Sequence, residues 1–185
     1  MIITKPPLTT FQTDFAQYGK VGFHCTSIMA TQRIEANGLL PDKVFPASIH
    51  NQVTTLGKHY GIYTSGYEEW LNMRSVSFGM NANVAIAQMN NGHVGGQGLF
   101  QMENVLNAIL PVGTAQEIAF AQENLTKIAT IRASQPVIYA VELTPLGNRV
   151  VTDLMNVAHV YFNPAVPLPT MSDILPSYII ERLNF

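Results

Sequence analysis

Cysteine is nearly absent. Cys25 is the only one in 185 residues, which excludes an intrachain disulfide and any metal site built on several thiolates. Charge is scarce as well: charged residues make up 12%, against about 25% in an ordinary soluble domain. The formal net charge is −2 and the 10 basic residues are scattered. Binding a phosphate backbone needs clustered cations that release counterions, so a nucleic-acid partner is disfavoured. No run approaches the roughly 18 continuous apolar residues of a membrane span. No basic amphipathic stretch suggests a helix lying on a membrane surface. The opening Met-Ile-Ile-Thr-Lys-Pro-Pro-Leu has neither a long apolar core nor a myristoylation glycine. That pattern leads us to expect a cytoplasmic protein, or one exported as an effector without a cleavable signal.

What is present is apolar and amide-rich. Apolar residues account for 47% of the chain, enough to bury a sizeable core in one domain spanning 1–185. Fourteen Asn and ten Gln together outnumber the charged residues, so the surface is polar with little charge. Asn124-Leu125-Thr126 fits a glycosylation acceptor, but nothing else in the sequence points to secretion.

Residues 20–25 read as a strand. Ser27 is placed to cap a helix over 28–37, which Gly38 would stop. Pro41, Pro46 and Gly57 make 41–58 read as a loop, followed by a short strand at Tyr60–Thr64 and a helix from Gly66 through Trp70 and Met73. Helix is expected over Phe78–Met89, and a glycine-rich loop over 90–98. Leu99, Met102, Leu106 and Ile109 recur at helical spacing before Pro111. Thr114-x-x-Glu117 is a capping box for a further helix. The period then falls to two at 137–143, with further strands expected at 150–152, 157–162 and 178–183. Residues 78–134 thus form a helical insertion. The order gives an α+β fold without regular β-α alternation.

Several motifs fail. The glycines at 92, 95, 96 and 98 do not make G-x-G-x-x-G, and neither a Walker A sequence nor G-x-S-x-G occurs. The five histidines show no H-E-x-x-H pairing, so no metal is expected. Cys25 on a strand reads as a small buried hydrophobe rather than a nucleophile.

One constellation remains. Phe23-His24-Cys25-Thr26-Ser27, followed by Ile34, Gly38-Leu39 and Pro41, resembles the first motif of ADP-ribosyltransferases of the diphtheria-toxin and poly-ADP-ribose-polymerase type. Gly61-Ile62-Tyr63-Thr64 resembles their second motif, and the segment around Glu181 their late strand. The segment 139–145 with the following Asp153 is similar to the small antibiotic-modifying members, which makes Asp153 the alternative acid. The resemblance implies a split, mostly antiparallel sheet with flanking helices and a His24-Tyr63-Glu181 (or Asp153) triad. It also implies NAD as the substrate, with no metal.

In that scheme His24 holds a ribose hydroxyl and the backbone around Cys25, Thr26 and Ser27 meets the carboxamide. Tyr63 stacks on nicotinamide, with Tyr67 or Trp70 as a second ring. The acid stabilises the oxocarbenium-like charge that builds as nicotinamide leaves. The resulting expectation is a mono-ADP-ribosyltransferase, with water as a possible acceptor in place of a protein or small molecule. The alternative is a non-catalytic nucleotide-binding or interaction domain of the same fold. Taken singly, His24 and Tyr63 each have an ordinary reading, as a satisfied core histidine and a strand aromatic.

Overall fold

The structure, a computed structural model, describes residues 11–41, 43–90, 94, 96–167 and 173–185. In chain order it contains β1 (Val21–Ser27), α1 (Thr31–Asn37), α2 (Ala47–His59), α3 (Ser65–Asn72), β2 (Ser75–Gly79), α4 (Ala82–Asn90), α5 (Gln97–Ile109) and α6 (Ala115–Ala133). Four strands close it: β3 (Pro136–Glu142), β4 (Val150–Thr152), β5 (Val157–Tyr161) and β6 (Ile179–Asn184). The fold is α+β. Its six strands form one antiparallel sheet in the order β4-β5-β2-β1-β3-β6, flanked by helices.

The sheet forks in the middle. β1 runs in register with β3 along its whole length, from Val21 opposite Glu142 to Ser27 opposite Pro136. It meets β2 at a single pair, Phe23 opposite Gly79, while β2 stays in register with β5 from Ser75 to Gly79. The two halves therefore part beyond Phe23, and β1 carries His24 to the parting point.

Strand alternation assigns each side chain to a face. Val76, Phe78, Tyr139, Val141 and Val160 form the core of one face, with Ile34 of α1 against them. Phe23, Ile138, Ala140 and Leu183 occupy the other, covered by α4 and by Phe11 and Phe15. A third core is mostly helical: α2, α3, α5 and α6 close around Val53, Tyr67, Met102, Leu106 and Ile128, joined by Phe45 from the loop before α2.

Local chemistry explains the elements that were expected. The Ser27 hydroxyl accepts from the Met29 N–H and starts a 3-10 turn that runs into α1, which Gly38 ends at φ +81°. Thr114 and Glu117 form the reciprocal capping box of α6. All four apolar residues predicted to line α5 are buried. The expected strands at 137–143, 150–152, 157–162 and 178–183 lie within two residues of β3, β4, β5 and β6.

Three expectations are corrected. Residues 47–59 are helix, not loop. Pro46 sits at the N-cap, where its missing N–H costs nothing. Gly57 is inside α2 because a Cβ there would meet Thr64 Cγ2 at 2.5 Å and Val105 Cγ1 at 3.1 Å. The expected strand at Tyr60–Thr64 is the turn leaving α2, with Gly61 at φ +66°. Third, the helix expected over Phe78–Met89 divides into the end of β2 and α4. Asn81 separates them, its side chain accepting from the Val84 N–H. The helical layer accordingly combines α2 and α3 with α5 and α6, rather than filling 78–134. Of the glycine-rich loop, 91–93 and 95 lie outside the described residues.

Candidate functional site at the sheet fork

His24 projects from β1 where β2 departs, and its Nδ1 lies 3.0 Å from the Ser77 carbonyl oxygen. A carbonyl only accepts, so Nδ1 carries the proton. Burial pushes the His24 pKa down, partly offset by this hydrogen bond. The neutral ring that results keeps Nε2 as an acceptor. The Phe78 ring lies 5.7 Å away, tilted against the imidazole.

The connection continues across β2. Ser77 pairs with His159 of β5, and the Ser77 hydroxyl is 3.0 Å from His159 Nδ1. His159 Nε2 in turn lies 3.8 Å from Asp153 Oδ2, an ion-pair distance. The other carboxylate oxygen, Oδ1, accepts from the N–H groups of Met155 and Val157 and fixes the β4–β5 turn. The Val157 N–H holds the Asp153 pKa below the usual carboxylate range; burial opposes this, while Met155 and His159 reinforce it. His24 and Asp153, 129 positions apart in sequence, are thus connected only through the backbone of Ser77: His24 lies on the Phe78 face, and the Ser77 side chain, His159 and Asp153 meet on the other. His159 stands at an outward position of an alternating strand, a signal open to reading. Its meeting with Ser77, 82 residues earlier, was not.

The remaining predicted residues fall elsewhere. Glu181 pairs with Ala140 and Arg182 with Tyr139, while His24 also pairs with Tyr139. His24 and Glu181 therefore occupy opposite faces. The Glu181 carboxylate accepts from the backbone N–H groups of Gln12 and Thr13. Burial raises its pKa, but these bonds outweigh that and the net shift is downward. The His24 face also carries the Arg182–Glu35 ion pair, whose carboxylate accepts from the Tyr139 hydroxyl.

Tyr63 lies in the α2–α3 connection, 83% exposed. Tyr67 is buried in the helical core, its hydroxyl hydrogen-bonded to His50 Nδ1. Trp70 stacks on Tyr67 with 6.1 Å between ring centres, and Lys43 Nζ sits 4.3 Å above its ring. Neither ring belongs to the fork. Ser27 is buried, with its hydroxyl 2.6 Å from that of Ser134. Thr26 precedes it on β1, opposite Val137. Cys25 packs into the core beneath α4, and burial pushes its thiol up to about 11, so it has almost no thiolate character.

Among the described residues, no group of three His, Cys, Asp or Glu side chains could hold a metal ion. No helix there is long and apolar enough to cross a membrane. Asn124 is buried in α6 and donates to the Phe120 carbonyl, so its glycosylation motif is closed to a transferase. No protein-family model, curated protein or solved structure matches this chain.

Proposed function

We propose that the chain binds NAD and transfers ADP-ribose, releasing nicotinamide, at the fork between β1 and β2. The observation that carries this reading is the neutral His24 imidazole at the strand fork, whose Nδ1 is held by the Ser77 carbonyl while Nε2 stays an acceptor. His24 Nε2 accepts a ribose hydroxyl. Asp153 is the remaining candidate acid, because Glu181 is committed to the N-terminal backbone. Asp153 stands at the β4–β5 turn, connected to His24 only through the backbone of Ser77, whose side chain and His159 lie on the face opposite His24. A carboxylate near the anomeric carbon stabilises the positive charge that develops as the glycosidic bond breaks. The acceptor is a protein side chain, a small molecule or water.

A second reading, a non-catalytic interaction domain, is favoured by the separation of Tyr63 and Glu181 from His24. Nicotinamide release separates the two. Purified protein mixed with millimolar NAD should release nicotinamide, and His24→Ala and Asp153→Asn should each lose the activity. Neither NAD binding nor release in the wild-type protein would discard the enzymatic reading and leave the interaction domain.

A further inference from the structure

Ser77, His159 and Asp153 also form a unit that needs no dinucleotide. Alternation along β2 and β5 puts Val76, Phe78, Ala158 and Val160 in the core, so Ser77 and His159 share the opposite face. That face is open here: Ser77 is exposed and α4 packs further along, over Phe23 and Ile138. The Asp153 carboxylate faces His159 Nε2 and favours the tautomer with its N–H there. The Nδ1 lone pair then accepts the Ser77 hydroxyl proton across 3.0 Å. A hydroxyl within reach of a base that a third group orients is the arrangement that activates a serine nucleophile.

The surroundings indicate what the serine would attack. Val151 pairs with His159, and Tyr161 pairs with Ser75, so both flank the relay on the same face. They are 52% and 49% exposed. At the hairpin tip beside Asp153, Leu154 and Met155 are 104% and 80% exposed. An acyl chain lying along these apolar side chains would bring its carbonyl to Ser77. The open face does not exclude water, so the relay itself supplies the rate, and general-base assistance of this kind contributes on the order of 10²–10⁴-fold. That suits an ester with a good leaving group, not a peptide bond.

We propose that Ser77 is an activated nucleophile that accepts acyl groups from apolar esters, with His159 as its base and Asp153 as the orienting acid. Ser77 Oγ bonds to the acyl carbon as its proton passes to His159 Nδ1, and the ester C–O bond breaks with the pair on the alcohol oxygen, which takes that proton from His159 as it leaves. Water then attacks the acyl-serine, giving its proton to His159, and Ser77 departs reprotonated as the carboxylic acid forms. This inference does not rest on the NAD reading.

The test uses a fluorophosphonate probe and p-nitrophenyl butyrate. The probe should label Ser77, located by peptide mass spectrometry, with loss of fluoride. Ester hydrolysis should fall at least about tenfold in both Ser77→Ala and His159→Ala. Should His159→Ala not fold, judged by circular dichroism, His159→Gln takes its place. Labelling confined to other residues, or hydrolysis unchanged in Ser77→Ala, overturns the proposal, and neither result bears on nicotinamide release.

Discussion

His24 and Glu181 stand on neighbouring register lines of the same strand pair yet face away from each other. His24 lies opposite Tyr139, and Glu181 opposite Ala140. A step of one residue along β3 reverses the face, so no twist of the sheet within its present register can bring imidazole and carboxylate together. The Glu181 carboxylate instead ties residues 12 and 13 to the sheet face that Phe11 and Phe15 cover.

From this follows a separation of roles. Glu181→Gln keeps one carbonyl acceptor but loses the charge that strengthens bonds to the Gln12 and Thr13 N–H groups. A charge-assisted hydrogen bond near the surface contributes about 1 kcal/mol. The variant should therefore melt a few degrees lower and lose hydrogen-exchange protection at residues 12 and 13. Any nicotinamide release should persist. Loss of release with stability intact would return the acid role to Glu181.

The strands were legible because their alternation is intrinsic to the residues. Val137 through Glu142 announces itself, and the capping pair Thr114 and Glu117 marks a helix start without tertiary help. What misled the reading was punctuation. Pro46 and Gly57 suggested a loop, although Ile49, Val53 and Leu56 already recur at helical spacing and pack inward. That one error moved the second strand from Ser75–Gly79 to Tyr60–Thr64, and with it the site from Ser77 to Tyr63. His24 and Asp153 could be named from sequence. The register that joins them cannot, because it depends on which distant strands become neighbours.

A pH-dependent signal is expected from Lys43. Its ammonium lies over the Trp70 ring and donates to the Met73 carbonyl, and burial lowers its pKa from 10.5 to about 8. Trp70 is the only tryptophan, so its emission should change with a midpoint near pH 8, and Lys43→Met should remove the step. The sign for stability also follows. Between about pH 8 and 10.5 the unfolded chain holds this proton and the folded chain does not, so the Lys43 contribution to stability rises with pH across that window. An emission profile flat from pH 7 to 9 in the wild-type protein would place the ammonium away from the indole.

Two glycines should respond in opposite directions to the same change. Gly98, in the first turn of α5, faces the Trp70 ring so closely that a Cβ would overlap its indole carbons. Tyr67, His50 and Lys43 also pack against the ring, so moving it aside breaks those contacts. Alanine raises helix propensity by about 1 kcal/mol, but forcing extra volume into a packed core costs about 1–3 kcal/mol. The clash wins, and Gly98→Ala should lower the denaturation midpoint. Gly66, inside α3, has only the Gln101 amide nearby, at 3.4 Å from the position of a Cβ. That flexible side chain can move aside, so Gly66→Ala should gain up to about 1 kcal/mol from propensity alone. Urea unfolding followed through Trp70 emission measures both, and equal stabilisation by the two substitutions would mean that the indole does not rest on α5.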